Sequence, residues 1–180
     1  YTGRMRPEKR IDDLIKALKL VHENYDSDVY LWIVGKGPFE EREKLKKLCD
    51  ELKLSEHVVF EGLVKHEEIA GYYAAADIFV LPSVTEGLPK SLLEAMAMAK
   101  PIVATKVEGI MDVIDEQSAI LVRPCDVQEL AKAITLLLKN KKLALKLARN
   151  ARKTVEEKYS YDAVYHNYND CISKYIVGTT

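Results

Sequence analysis

Short apolar runs rich in branched side chains alternate, along most of this chain, with stretches in which apolar residues return every third or fourth position. The runs are Tyr1–Gly3, Val29–Val34, Val58–Phe60, Ile78–Leu81, Ile102–Thr105 and Ile120–Val122. Most are apolar at nearly every position rather than every second one, which is how a parallel strand reads when both of its faces are covered. Helical spacing is carried by Ile11, Leu14, Ile15, Leu18 and Val21, by Leu45, Leu48 and Leu52, by Leu92, Leu93, Met96 and Ala97, and by Leu130, Ile134, Leu137 and Leu138. Alternating strands and helices require right-handed crossovers and build a doubly wound α/β sheet. The pattern predicts six parallel strands in a Rossmann-like sheet with helices on both faces.

The tail departs from this rhythm. From Val127 to the end no strand pattern remains, only three helical stretches, broken near Asn140 and near Tyr159–Ser160. Residues 1–180 thus read as a single domain whose part 127–180 is helical. In the last stretch Tyr161, Tyr165, Tyr168, Ile172 and Tyr175 share one helix face. Two readings stand for that stripe: packing against this same domain, or an aromatic face for a partner domain. Because the first residue already sits in a strand, the pattern is that of a fragment of a longer chain.

Composition narrows the class. With 48% apolar and 31% charged residues, the profile is globular and excludes disordered, collagen-like and disulfide-scaffold chains. The 27 cations and 28 carboxylates give a net charge of −1, so no global field points to nucleic acid. Cys49, Cys125 and Cys171 are odd in number and far apart, which predicts free thiols and a cytoplasmic, reducing compartment. His22, His57, His66 and His166 show no ligand spacing, so no metal is expected. No apolar run approaches the roughly 20 residues that span a bilayer.

In an open parallel sheet, ligands bind beyond the carboxyl ends of the strands. Six of the eight glycines fall there: Gly3, Gly35, Gly37, Gly62, Gly87 and Gly109. The first loop sets Arg4, Arg6, Lys9 and Arg10 just before a helix, either as a solvated charge run or as an anion site of guanidinium forks, a lysine and a helix N-terminus. The phosphate-loop and dinucleotide fingerprints are absent. In the fourth loop, Glu86 precedes a helix opened by Pro89, and Glu94 interrupts the apolar stretch Leu92–Ala99. A carboxylate there needs a hydrogen-bonding partner: vicinal ribose hydroxyls suit it, and a nearby lysine is the alternative. Pro89 fits a first helical turn and leaves the amides of Lys90 and Ser91 free for an anion.

These residues resemble, from Gly3 to about Tyr165, the C-terminal donor-binding domain of the retaining GT-B glycosyltransferases known as glycosyl transferases group 1. Gly3-Arg4 with Glu8-Lys9, Val34-Gly35-Lys36-Gly37-Pro38, Val58–Gly62, Tyr72–Ser83, and the pair Glu86 and Glu94 followed by Ala95-Met96-Ala97 occur in the family's order and spacing. The resemblance implies a UDP- or GDP-sugar as donor, retention of anomeric configuration, and no metal cofactor. It implies that Gly3, Arg4 and Lys9 hold the diphosphate, that Glu94 holds the ribose, and that Glu86 faces the reacting carbon. It further implies that the backbone of Gly87, Leu88, Pro89, Lys90, Ser91 and Leu92 holds sugar and phosphate, and that Leu63 and Val64 line the base pocket. A second, N-terminal acceptor domain is then expected, and the full enzyme acts in the cytoplasm or at the cytoplasmic face of a membrane. A glycogen- or starch-synthase-like enzyme, an epimerase of similar shape and a non-catalytic nucleotide-binding module are the alternatives.

The chain also departs from the family. Arg10, Pro89 and Ala99 stand where it usually has glycine, Glu108-Gly109 replaces Gly-Gly, and Asp115-Glu116 and Ser118-Ala119 replace further glycine positions. A carboxylate at Glu108 either repels a diphosphate or selects a different sugar.

Overall fold

The computed structural model describes residues 1–25 and 28–176. After one 3-10 turn at Pro7–Lys9, the elements follow in the order α1 (Ile11–Asn24), β1 (Leu31–Val34), α2 (Phe39–Glu51), β2 (Val58–Gly62), α3 (Ile69–Ala75), β3 (Phe79–Leu81) and α4 (Lys90–Ala97). Then come β4 (Ile102–Thr105), α5 (Glu108–Met111), β5 (Ile120–Val122), α6 (Val127–Lys139), α7 (Lys141–Lys158) and α8 (Tyr161–Ile176). All strand pairs are parallel, β1 with β2 and β3 with β4 with β5. The three closing helices break where the pattern places the breaks, and the side chains of Asp126 and Asn140 cap α6 and α7.

Among the described residues five strands form rather than six. Tyr1–Gly3 makes a single bridge, Thr2 to Val34, beside β1. Among the described residues its backbone hydrogen bonds run to that side: Tyr1 N to Trp32 O at 2.9 Å, Val34 N to Tyr1 O at 2.9 Å and Gly3 N to Val34 O at 2.9 Å. With no ladder from this run to β3, the sheet divides into a two-stranded and a three-stranded part. Between them lies a cavity of about 820 Å³, walled by β1 residues Leu31 and Trp32 and β3 residues Phe79 and Val80. Leu31 N donates to His57 O and Phe79 N to Pro101 O. In a parallel ladder successive residues turn their peptides to opposite sides, so Trp32 and Val80 turn theirs toward this gap, where the Trp32 carbonyl accepts Tyr1 N.

Coverage of both strand faces holds for β3 and β4, whose residues are all buried. It does not hold at the β2 edge, where Val59 and Glu61 are exposed. The apolar stripes of the helices close the core: α1 packs on α6 and α4 on α7, around Ile15, Ile33, Leu81, Leu92, Met96, Ile102 and Val103. Cys49, Cys125 and Cys171 are all free. Burial, with Asp50 beside it, pushes the Cys49 thiol up to about 11. On α8, Tyr161, Tyr165 and Tyr168 are exposed and Ile172 is half-buried, while the side chain of Tyr175 lies outside the described residues. Packing of the stripe against this domain is therefore corrected, because after Tyr159–Ser160 the helix keeps contact chiefly with α7 and turns its tyrosines outward.

The missing glycines have a backbone signature. Arg10 and Ala99 both adopt left-handed torsions, with φ of 51° and 49°. The Arg10 guanidinium donates to both carboxylate oxygens of Asp13, each at 2.8 Å, which holds the strained turn in place. Ala99 has no such anchor and is exposed. Ala99→Gly is expected to stabilise the fold by about 1 kcal/mol, the order of cost of a non-glycine residue in this region, and to raise Tm by about 2–4 °C. In thermal unfolding, Ala97→Gly inside α4 serves as the reference and is expected to lower Tm. A lowered Tm for Ala99→Gly would show that the turn carries no strain.

Candidate functional site

Three loops at the carboxyl ends of the strands are laced by backbone. Met5 N donates to Lys36 O at 2.9 Å and Gly35 N to Gly62 O at 2.7 Å. Gly35, at φ +134°, lies against Gly3 so closely that a Cβ would collide with the Gly3 carbonyl. Only glycine meets both demands. On the other side of the sheet break, a Cβ on Gly109 would strike the carbonyls of Glu86 and Gly87. The loop after β4 thereby seats the loop after β3.

The four cations of the first loop part company. Arg6 stands 4.0 Å from Glu8, and Arg10 is taken by Asp13. Lys9 turns across the break and pairs with Glu86, Nζ to Oε1 at 2.8 Å, with both side chains largely buried. Arg4 is exposed and forms no ion pair among the described residues; its carbonyl accepts the buried Tyr1 hydroxyl at 2.9 Å. Glu8 O accepts Val84 N at 2.9 Å, so backbone and side chain both tie the first loop to the fourth.

Behind Glu86 stands a relay that the sequence did not reveal. The fully buried Ser83 donates to Glu86 Oε1 at 2.7 Å, and the buried Thr105 hydroxyl donates to the Ser83 carbonyl. A serine at the end of an apolar strand run was its only signal. Glu94 does have a partner within the fold, and it is a tyrosine rather than a lysine: Tyr73 OH donates to Glu94 Oε2 at 2.8 Å and lies 3.2 Å from Ser91 O. Burial first, then the Glu94 carboxylate, raises the Tyr73 phenol far above its ordinary range, so it remains a donor. Tyr73 projects from α3, a helix of seven residues too short to announce itself by periodicity.

The remaining expected positions line the same edge. Leu63 is 72% and Leu88 60% exposed, Val64 is half-buried, and Gly87 and Lys90 are exposed. Pro89 sits at the N-cap of α4, one position before the expected first turn. The amides of Lys90 and Ser91 meet no acceptor among the described residues, whereas Leu92 N donates to Pro89 O at 2.9 Å. The Leu92 side chain is fully buried in the core, so the residue meets the edge through its backbone alone. Glu108 is exposed at the start of α5, one residue from the Gly109 that touches the glutamate loop, and Ala119 is buried in the core. Among the described residues no three metal-ligating side chains gather, and no helix is long and apolar enough to cross a membrane.

The edge thus offers an exposed guanidinium, a lysine fixed on a carboxylate, two free helix-terminal amides and a second carboxylate with one oxygen engaged. An anion is met by the first three, and hydroxyl groups by the last. The family model of glycosyl transferases group 1 matches residues 1–154. A glycosyltransferase of unassigned role from Methanocaldococcus jannaschii is 34% identical over 165 residues, covering 91% of this chain and 41% of that protein. The lipopolysaccharide core biosynthesis glycosyltransferase LpsD of Rhizobium meliloti is 34% identical over 173 residues, covering 96% and 48%. The chain therefore spans less than half the length of these relatives. Among solved structures, Anabaena HepE in complex with UDP and glucose superposes with a TM-score of 0.86 at 25% identity, covering 96% of this chain and 47% of that one. The C-terminal domain of the group 1 protein LpcC from Francisella tularensis gives 0.78 at 26% identity, covering 89% and 84%. Motif order, fold and site agree with these matches: the chain belongs to the glycosyl transferases group 1 family.

Proposed function

We propose that the chain is the donor-binding half of a retaining glycosyltransferase that takes a nucleoside diphosphate sugar, UDP-linked in the first instance. The observation that carries this reading is the Lys9–Glu86 pair at the strand edge, with Glu94 and the free amides of Lys90 and Ser91 in the same loop and helix. HepE, solved with UDP and with glucose, supports the nucleotide class. Departure of a diphosphate builds negative charge, and fixed cations with helix-terminal amides stabilise it without reorganising. Lys9 suits that task because an ammonium has three donors and Glu86 engages only one. Ser83 and Thr105 keep Glu86, and through it Lys9, from swinging away. Arg4 supplies the second cation, so the charge balance rests on side chains rather than on a metal ion. Glu94 has an oxygen left for a ribose hydroxyl once Tyr73 has taken the other.

In this reading the base lies by Leu63 and Val64, and the sugar lies between Glu86 and the Glu108–Gly109 turn. The acceptor is held by a second domain facing this edge, and the outward tyrosines of α8 are a surface for it. Glycans, lipids and polysaccharide precursors are the acceptor classes, and action at the cytoplasmic face of a membrane follows for the lipid-linked ones.

Glu94→Gln keeps an acceptor for Tyr73 but removes the charge. It is expected to weaken UDP binding by about 1.5–3 kcal/mol, the worth of a charged hydrogen bond, with Tm unchanged; calorimetry showing equal affinity would remove Glu94 from the site. Lys9→Ala is expected to lower affinity for UDP roughly ten- to a hundredfold and leave uridine binding unchanged. Equal losses for both ligands would return the first loop to a solvated charge run. Residues 1–180 are expected to bind UDP and to transfer no sugar, since holding donor against acceptor supplies roughly 7–11 kcal/mol and one lip of a cleft lacks the second. Robust transfer by this chain alone, to any acceptor other than water, would refute the half-enzyme reading.

A further inference from the structure

Charge is distributed unevenly outside the donor edge. The stretch from Leu130 to Val155 holds eight of the chain's 27 cations and none of its 28 carboxylates. All eight cations are exposed. The other long helices read differently: on α1, Lys16 pairs with Asp12 and Lys19 with Glu23, and on α2, Lys46 pairs with Glu43 and Lys47 with Glu51. On α7, Lys142, Lys146, Arg149 and Lys153 follow one another at spacings of four, three and four, which puts them on one face. The inner face of the same helix, with Ala144, Leu147, Ala148, Ala151 and Val155, is buried in the core. Lys142, Lys146 and Arg149 form no ion pair among the described residues; Lys153 reaches Glu157 at 3.7 Å, at the carboxyl end.

Two leucines stand in this field. Leu145 is 56% exposed between Lys142 and Arg149, and Leu136 on α6 is 45% exposed. A shallow groove beside α7 is lined by Lys142, Lys146 and Arg149, which donate to phosphate oxygens, together with Leu143, Leu145 and two asparagines already bonded within the fold.

We infer that the outward face of α7 is a docking surface for an anionic lipid bilayer. The stripe of unpaired cations meets the headgroup phosphates, and Leu145 enters the acyl boundary between them. Cations flanking an exposed leucine are the pattern of an interfacial helix. Nucleic acid shares the phosphate chemistry, but a single-strand platform uses aromatic rings for stacking, and none lies between Leu130 and Val155. The inference is independent of the donor site, because α7 contributes none of the residues placed there.

The test is co-sedimentation of residues 1–180 with vesicles of phosphatidylglycerol and phosphatidylcholine in equal parts, and with phosphatidylcholine alone. Binding is expected only to the anionic vesicles and is expected to vanish near 1 M salt, where the screening length falls to about 3 Å. The triple change Lys142→Glu, Lys146→Glu and Arg149→Glu is expected to weaken it at least about a hundredfold, at about fivefold for each cation lost. UDP affinity in the same variant is expected to stay as it was. Reversal of Lys44 and Lys47 on α2 by glutamate should leave vesicle binding intact. If the triple variant does not fold, Leu145→Asn tests the face by a single exposed change, with severalfold weaker binding expected. Equal binding to both vesicle types, retention of binding by the variants, or capture of an oligonucleotide in preference to anionic vesicles overturns the inference.

Discussion

The Lys9–Glu86 contact is where the two parts of this molecule are joined at the working edge. No ladder connects β1 to β3, so the strands themselves do not fix the first loop against the fourth. That task falls to Lys9 on Glu86 and to Glu8 O on Val84 N. An ion pair in this half-buried setting is worth having only if its partners are held. Ser83 and Thr105 hold the carboxylate from behind, so the geometry of the first loop is traceable to a hydroxyl on β4. The same contact aligns the structural and the chemical requirements, since the group that fastens the halves is also the cation offered to a ligand.

Much of this was legible in the sequence because the driving term is apolar burial. Runs such as Phe79–Leu81 have no polar position to face water, and they form the buried strands. The tail's helices and their breaks were equally plain, because Asn140 and Ser160 interrupt strict spacing. Strand count failed at Tyr1–Gly3, where apolar character signals a strand but the run makes a single bridge, to Val34, and no ladder to β3. The site was legible by type more than by contact. A carboxylate inside Leu92–Ala99 demands a partner, yet its identity, Tyr73, sits 21 residues earlier on a helix without a periodic stripe. Likewise, spacing put four cations in one loop but did not tell which would face inward; local acids claimed Arg6 and Arg10 and left Lys9 for Glu86.

The lost glycines show how a sequence departure is absorbed. Arg10 keeps a left-handed turn by binding Asp13, so a residue that fits poorly by torsion is retained by its side chain. Gly109 allows no such exchange. It lies against the carbonyls of Glu86 and Gly87, and any Cβ would displace the loop that carries the glutamate. Of this pair, only Glu108, whose side chain is exposed, leaves room for variation.

The cavity between β1 and β3 bears on how the domain answers compression. About 820 Å³ lies in a cleft walled chiefly by apolar side chains, where the Trp32 carbonyl meets Tyr1 N but no ladder crosses from β1 to β3. The volume change on unfolding scales with the internal void that is eliminated. Squeezing the solution therefore favours any state in which water fills that space, and it does so whether or not heat has loosened the core. The sheet would part first along this seam, between Leu31–Trp32 and Phe79–Val80, while the loops tied by Lys9 and Glu86 stayed laced. Pressure would thus act on the seam and leave the laced edge as its fulcrum.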